Sequence, residues 1–242
     1  MSLINSFESF KLSRQLLNAL QDKGYTTPTP IQSRTIPPVL AGQHVIGIAP
    51  SGTGKTAAYL IPLIQQLKYA QGHHPRGLIL VPTRELALQV SGELKALTGY
   101  HDLRTTSLYG GIGLKSQLEE LAAGQDVLVA TPGRLFEVYS RGAANLREIR
   151  ILVLDEADRM MDMGFLPQVY RLLEILTPGK RQNLLFSATF PEKIEKLSMD
   201  FLDFPIKIEI RPQGTVSENI QQFFYRVPNL KSKINLLAFL LA

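Results

Sequence analysis

Seven short runs constrain this chain more than anything else in it: "HVIGIA" (44 to 49), "GLILVP" (77 to 82), "TTSLYG" (105 to 110), "DVLVAT" (126 to 131), "RILVLD" (150 to 155), "NLLFSA" (183 to 188) and "IKIEI" (206 to 210). Several are apolar almost throughout instead of alternating, the pattern of strands covered on both faces in a parallel sheet. Longer segments with helical spacing lie between most of them. The expected fold is therefore α/β, a doubly wound and mostly parallel sheet with helices on both faces.

Length and punctuation set the organisation. At 242 residues the chain has room for one well-buried domain and something added to it. Ahead of the first strand, "LSRQLLNALQD" (12 to 22) puts Leu12, Leu16, Leu17 and Leu20 on one helical face, with Gly24 as a stop and Pro30 suited to the first turn of the next helix. Near the other end, "RPQGTVSEN" (211 to 219) is polar and turn-rich, and "NLKSKINLLAFLLA" (229 to 242) is an apolar helix-like stretch. The expectation is a domain over residues 1–210, followed over 211–242 by a linker and the first helix of a second unit cut short.

Composition excludes more than it selects. No apolar stretch approaches the roughly 20 residues of a membrane span, so no membrane partner is expected. Residues 1–10 lack a secretory signal, and no cysteine offers a disulfide or thiolate site, which points to a cytoplasmic protein, expected to be a monomer. The formal charge is +5, but from Lys207 onward five basic residues (Lys207, Arg211, Arg226, Lys231, Lys233) stand against two acidic ones (Glu209, Glu218). The body of the chain is nearly neutral. A polyanionic partner must therefore be argued from local groups.

The chemistry is concentrated where strand-like runs end. "APSGTGKT" (49 to 56) lies between a strand and a helix and closes as a phosphate-binding loop does, with Gly52, Gly54, Lys55 and Thr56. Glycines let backbone N–H groups curl around phosphates, Lys55 reaches the β/γ-phosphates, and the Thr56 hydroxyl suits Mg²⁺. Ala49 stands where the general pattern has its first glycine. "ILVLDEAD" (151 to 158) delivers Asp155 and Glu156 to the carboxyl edge of the sheet, where open α/β folds bind ligands. There Asp155 can hold Mg²⁺ and Glu156 can activate the attacking water, so the catalytic candidates are Lys55, Asp155 and Glu156.

With these residues the chain resembles the amino-terminal RecA-like P-loop domain of a DEAD-box RNA helicase. That family's loop is A-x-x-G-x-G-K-T, which Ala49, Pro50, Ser51, Gly52, Thr53, Gly54, Lys55 and Thr56 fit throughout. The resemblance runs over residues 7 to 189 in family order: "GYTTPTPIQ" as a Q motif with Phe7 upstream, then "PTRELALQ", "GG", "TPGR" and "SAT". "VLDEADRMMDMGF" and "RQNLLFSATF" are similar to the bacterial RhlE-type subgroup.

The resemblance implies ATP and Mg²⁺ as cofactors, with Phe7, Tyr25 and Gln32 at the base. The Gln32 amide has a donor and an acceptor to pair with adenine's amine and ring nitrogen. It implies that Pro82, Thr83, Arg84, Gly110, Gly111, Thr131, Pro132, Gly133 and Arg134 meet RNA, mainly through its phosphate backbone, since no aromatic platform for reading bases accompanies them. Ser187, Ala188 and Thr189, with Asp158, are implied to couple hydrolysis to unwinding. The partner domain carrying the family's later, arginine-rich motif is absent from residues 190 to 242. Two rival readings are a DNA translocase of the same superfamily, which should lack the Gln32 motif and Asp158, and a non-enzymatic nucleotide-binding adaptor.

Overall fold

A computed structural model describes residues 6–176, 181–211 and 223–241. Two compact units are distinguished, Met1–Arg211 and Pro212–Ala242. In the first, a 3-10 turn (Phe7–Phe10) precedes α1 (Arg14–Asp22) and α2 (Pro30–Leu40). Strands and helices then alternate as β1 (Val45–Ile48), α3 (Lys55–Leu67), β2 (Gly77–Leu80), α4 (Arg84–Leu97), β3 (Thr105–Leu108), α5 (Leu114–Ala122), β4 (Val127–Ala130), α6 (Pro132–Ser140) and β5 (Ile151–Leu154). After α7 (Ala157–Asp162) and α8 (Leu166–Ile175) come β6 (Gln182–Ser187), α9 (Glu192–Phe201) and β7 (Ile206–Glu209). The second unit contains α10 (Leu230–Leu241), whose first turn is capped by Asn229, its Oδ1 accepting the Ser232 N–H at 2.9 Å. Most of the linker-like stretch, residues 212 to 219, lies outside the described residues.

All seven strands pair in parallel, in the order β3-β4-β2-β5-β6-β1-β7. Each expected run supplies one strand: β1 to β5 are two residues shorter than their runs, β6 keeps the length but begins one residue earlier, and β7 is one residue shorter. The single-residue alternation within these runs decides which side of the sheet each residue packs on. Val45, Ile79, Val129, Val153 and Phe186 join the cluster that also holds Leu16, Leu20, Ile31 and the apolar side of α3. Ile46, Leu80, Leu128, Leu154 and Leu185 join a second cluster with Leu135, Val138, Val169, Leu172 and Leu197. Truncating a fully buried leucine or isoleucine in either layer to alanine costs about 2–5 kcal/mol.

Local chemistry explains the helix ends. Ser13 caps α1 by accepting the Leu16 N–H at 3.3 Å, so Leu12, although buried, lies outside the helix. Gly24 supplies the left-handed turn (φ 72) after it, and Pro30 occupies the first helical position of α2, where its missing N–H costs nothing. Of the methionines in "DRMMDMGF", Met160 is buried and Met161 packs on the second cluster, while Met163 is exposed.

The topology sets up one functional edge. Because every strand is parallel, the loops following β1, β6 and β5 emerge side by side, as do those following β2, β4 and β3. The chain leaves β1 for β2 across β5 and β6, the kind of switch at which open α/β sheets form a crevice.

Candidate functional site

A cavity of about 380 Å³ opens at this crevice, lined by residues of the β1–α3 loop, Tyr25, α4 and the acidic end of β5. A larger cleft of about 660 Å³ lies between the carboxyl end of α3 and the segment before β3, away from the phosphate-type loop and the carboxylates. The loop explains its own composition. Gly52 (φ 79) and Gly54 (φ 92) hold left-handed backbone, and Gly54 begins α3. A Cβ on Gly54 would stand 2.5 Å from Gln32 Nε2. Ala49 needs no such freedom: it is fully buried, continues the strand by donating its N–H to the Ser187 carbonyl at 3.1 Å, and lacks positive φ. Glycine is required where the loop curls, and Ala49 precedes the curl.

Charged groups face this cavity from buried positions. Lys55 Nζ donates to the Ala49 carbonyl at 2.6 Å. Burial pulls its ammonium below the ordinary lysine value, against the upward pull of Asp155, Asp158 and Glu156. Asp155 is 2% exposed, and burial pushes its carboxyl up to about 6, opposed by the Tyr59 hydroxyl, the Lys55 charge and the Glu156 N–H. Glu156 also lines the cavity, in a left-handed conformation (φ 50, ψ 51) at the start of α7. That conformation costs a non-glycine residue about 1–2 kcal/mol, a strain typical of functional positions. Its carboxylate pairs with Arg159 at 3.2 Å.

The β6 loop closes on the same place. The Asp158 N–H donates to Ser187 Oγ at 3.2 Å, and Asp158 Oδ2 accepts both the N–H and the hydroxyl of Thr189 at 2.8 Å. Ala188 lies between them, half-buried. Burial raises the Asp158 carboxyl, but these hydrogen bonds outweigh it and hold the pKa below the ordinary value.

The base-side residues are placed less simply. Tyr25 lines the cavity, and its hydroxyl donates to Glu93 Oε1 at 2.6 Å while Lys23 pairs with Glu93 Oε2 at 3.0 Å. Phe7 is 5% exposed and stacks behind Tyr25, ring centroids 6.3 Å apart, as a core residue rather than a cavity wall. Gln32 is buried, its Oε1 accepting the Thr29 N–H at 2.9 Å and its Nε2 donating to the Gly54 carbonyl at 3.2 Å. It braces the loop and retains one N–H and one oxygen lone pair.

On the other half of the edge, two arginines knit three loops. Pro82 is buried, and Thr83 caps α4 through the Leu86 N–H at 3.2 Å. Exposed Arg84 lies over the Tyr109 ring at 5.3 Å, beside Gly111 (φ 85). Arg134 is turned inward: Nη1 donates to Gln117 at 3.1 Å, Nη2 to the Ile112 carbonyl at 3.0 Å, and Nε pairs with Glu137 at 3.2 Å. Gly110 and Gly133 have open space where a side chain would be. Thr131 and Pro132 begin α6 with no side-chain cap, which leaves its first N–H groups available.

Comparison with known proteins decides the family. Residues 29–197 match the DEAD/DEAH box helicase family model. The chain belongs to the DEAD/DEAH box helicase family. ATP-dependent RNA helicase RhlB of Pseudomonas putida is 44% identical over 229 residues, 91% of this chain and 58% of that protein. Probable ATP-dependent RNA helicase DDX46 of Homo sapiens is 39% identical over 244 residues, 98% of this chain and 24% of that protein. The crystal structure of a DEAD box protein from the hyperthermophile Methanococcus jannaschii superposes with a TM-score of 0.81 at 34% identity, covering 99% of this chain and 64% of that one. The chain thus spans about six tenths of the bacterial relative and a quarter of the human one. The bacterial relative named here is of the RhlB kind; the RhlE-type likeness stays an expectation from two phrases.

As a DEAD/DEAH box domain the fold brings together what the sequence separates by more than 100 residues. Glu93, Gln89, Leu86 and Tyr59 were not singled out in the sequence. The first three lie on α4 at helical spacing beyond "PTRE", and Tyr59, four residues after Lys55, carries the pattern of a core residue. Nothing in the linear pattern separates their polar atoms from ordinary helix surface or core.

Proposed function

We propose that this chain is the ATP- and RNA-binding first domain of an ATP-dependent RNA helicase, with residues 1–210 as the RecA-like unit and 211–242 leading into a second. The carrying observation is the convergence of buried Lys55, buried Asp155 and strained Glu156 on one cavity at the start of α3. Among the described residues no group of three or more acidic, histidine or cysteine side chains gathers as a metal cage. A single carboxylate beside Thr56 suits Mg²⁺, which uses one or two carboxylates and completes its shell with phosphate and water. Bound Mg²⁺·ATP supplies the transferable phosphoryl group and the charge that neutralises it.

The chain's own residues do the rest. The first N–H groups of α3 and the Lys55 ammonium bind phosphate, with the dipole of a 13-residue helix behind them. Asp155 and Thr56 hold the metal. Glu156 accepts the proton of the attacking water, and Tyr25 with the remaining capacity of Gln32 selects adenine. Asp158 passes the state of this site to the Ser187–Ala188–Thr189 loop, while Arg84, Gly110, Gly111 and the uncapped start of α6 meet the RNA backbone. None of the described helices is long and apolar enough to cross a membrane; action in the cytoplasm, as a monomer, is part of the proposal.

The test pairs binding with turnover. Residues 1–242 should bind ADP in preference to GDP and hydrolyse ATP hardly at all with or without RNA, because an arginine from a second domain contributes on the order of 10³ to 10⁵ in rate. A protein with that domain joined should hydrolyse ATP in response to RNA, and Glu156→Gln in it should keep Mg²⁺·ATP binding while losing turnover. Strong RNA-stimulated hydrolysis by residues 1–242 alone, or equal affinity for ADP and GDP, would overturn the reading.

A further inference from the structure

Tyr59 lies on the second turn of α3, four residues beyond Lys55, in the middle of an apolar layer. It is 0% exposed, and its hydroxyl donates to Asp155 Oδ2 at 2.7 Å. A buried phenol needs a partner, but this one is bound to the carboxylate assigned to the metal, where a backbone carbonyl would satisfy it equally well. The other Asp155 oxygen, Oδ1, accepts the Glu156 N–H at 2.9 Å. Both oxygens are thus tethered, and rotation of the carboxylate about its last bond is arrested.

The tether is itself anchored. The Tyr59 ring packs on Phe186 of β6 with centroids 5.2 Å apart at 51°. Phe186 occupies the space left by Gly47 of β1, where a Cβ would fall 2.5 Å from its ring. Thr56, the other residue assigned to the metal, lies one helical turn earlier on the same helix. The hydroxyl therefore holds the carboxylate assigned to Mg²⁺ from a ring wedged between α3 and the strands that carry the loops.

We infer that Tyr59 is a positioning residue for the metal: its hydroxyl, with the Glu156 N–H, fixes the orientation of the Asp155 carboxylate so that Mg²⁺ and nucleotide bind cooperatively. This rests on the nucleotide reading above. Mg²⁺ tolerates little departure from octahedral geometry at 2.0–2.1 Å, so ligand orientation bears directly on its affinity. Outer partners that orient metal ligands typically contribute 10–100-fold. A tyrosine serving only to fill the core would contribute through its ring and not through this coupling.

Tyr59→Phe separates the two, because it deletes one oxygen and keeps the ring. ADP affinity of residues 1–242 is titrated in EDTA and in saturating Mg²⁺, for the original chain and the variant, together with the Mg²⁺ concentration that half-saturates the effect. The expected result is metal-free ADP affinity within about twofold of the original, with the Mg²⁺-dependent gain reduced about 10-fold and the half-saturating Mg²⁺ raised by a similar factor. An unchanged gain overturns the inference. So does a parallel loss with and without Mg²⁺, which marks a purely structural tyrosine. Thr56→Val, which keeps a side chain of similar shape, should lower the same gain and leave metal-free binding in place; loss of metal-free binding alone would overturn the inference by removing the metal site that Tyr59 is taken to orient. Absence of any ADP binding by the original chain is a distinct result, removing the nucleotide reading and this inference with it.

Discussion

The two halves of the sheet's carboxyl edge solve opposite problems. Behind β1, β6 and β5, charges are buried or half-buried and already wired: buried Lys55 to a carbonyl, buried Asp155 to Tyr59, half-buried Asp158 to Thr189. Behind β2, β4 and β3, the polar groups lie nearer the solvent, glycines leave open space, and Arg84 rests on an aromatic face. The first half suits a small, highly charged ligand whose every contact must be placed beforehand. The second suits a long polyanion gripped through repeated, interchangeable phosphates. On the proposed function, a single parallel sheet serves both because its strand order groups the loops following β1, β6 and β5 apart from those following β2, β4 and β3.

The largest expected effect comes from beneath the second half. Asp126, at the amino end of β4, is buried and pairs with Arg76 at 2.8 Å and Arg104 at 3.0 Å, fastening the starts of β2 and β3 to β4. Its oxygens also accept the N–H groups of Gln71 and Arg104. Asp126→Asn leaves the 4%-exposed Arg76 side chain without its counter-charge and should lower stability by about 3–5 kcal/mol in a denaturant titration. Burial alone would raise the Asp126 pKa, but the Arg104, Gln71 and Arg76 hydrogen bonds outweigh it and hold it below the ordinary carboxylate value. This contribution is therefore present above the unfolded pKa of about 4 and is lost as pH falls through the lower folded value, so original and variant should converge in acid. The folded variant should keep its ADP affinity within about twofold. A matching drop in ADP affinity would show that the two halves are not independent.

What was legible in the sequence follows the same division. The first half uses residue types with few substitutes at fixed spacing, so "GTGKT" and "DEAD" announce it without coordinates, and the seven apolar runs announce the sheet beneath. Even there, the partners that tune it are illegible: Tyr59 reads as core because only the fold reveals that its hydroxyl meets Asp155, 96 residues on. The sequence offers Gln32 as a base-pairing amide, and in the fold its Nε2 braces the Gly54 carbonyl. The sequence reads Phe7 at the base, and the fold stacks it on Tyr25, which lines the cavity. In the second half, arginines after strands are ordinary, and only three-dimensional contacts distinguish Arg134, spent on Gln117, Ile112 and Glu137, from Arg84, which faces outward.

The next effect breaks the comparison from the other side. Lys55→Ala removes a buried cation that is proposed to bind phosphate and that offsets Asp155, so ADP affinity should fall about 100-fold, equivalent to about 2.7 kcal/mol, in a direct titration. RNA binding measured without nucleotide should be unaffected. If RNA affinity fell as well, Lys55 would belong to both halves and the division would not hold.

The smallest effect sharpens the division within the second half. Exposed Arg84 can exchange its resting place on Tyr109 for a phosphate at little cost, whereas Arg134 would have to abandon two hydrogen bonds and an ion pair. A phosphate-binding arginine releases counterions, so its loss weakens binding by a similar factor for unrelated sequences and reduces the salt slope by about one. Arg84→Ala should therefore reduce affinity for unrelated single strands of RNA by about 3- to 10-fold at moderate salt, with a slope shallower by about one. Arg134→Ala should leave the salt slope in place and instead lower the melting temperature, because the loop between β3 and α5 loses its tie to α6. The reverse outcome, a shallower slope for Arg134→Ala and none for Arg84→Ala, would mean that Arg134 leaves its internal partners on binding RNA, and that the second half is rebuilt by its ligand as the first half need not be.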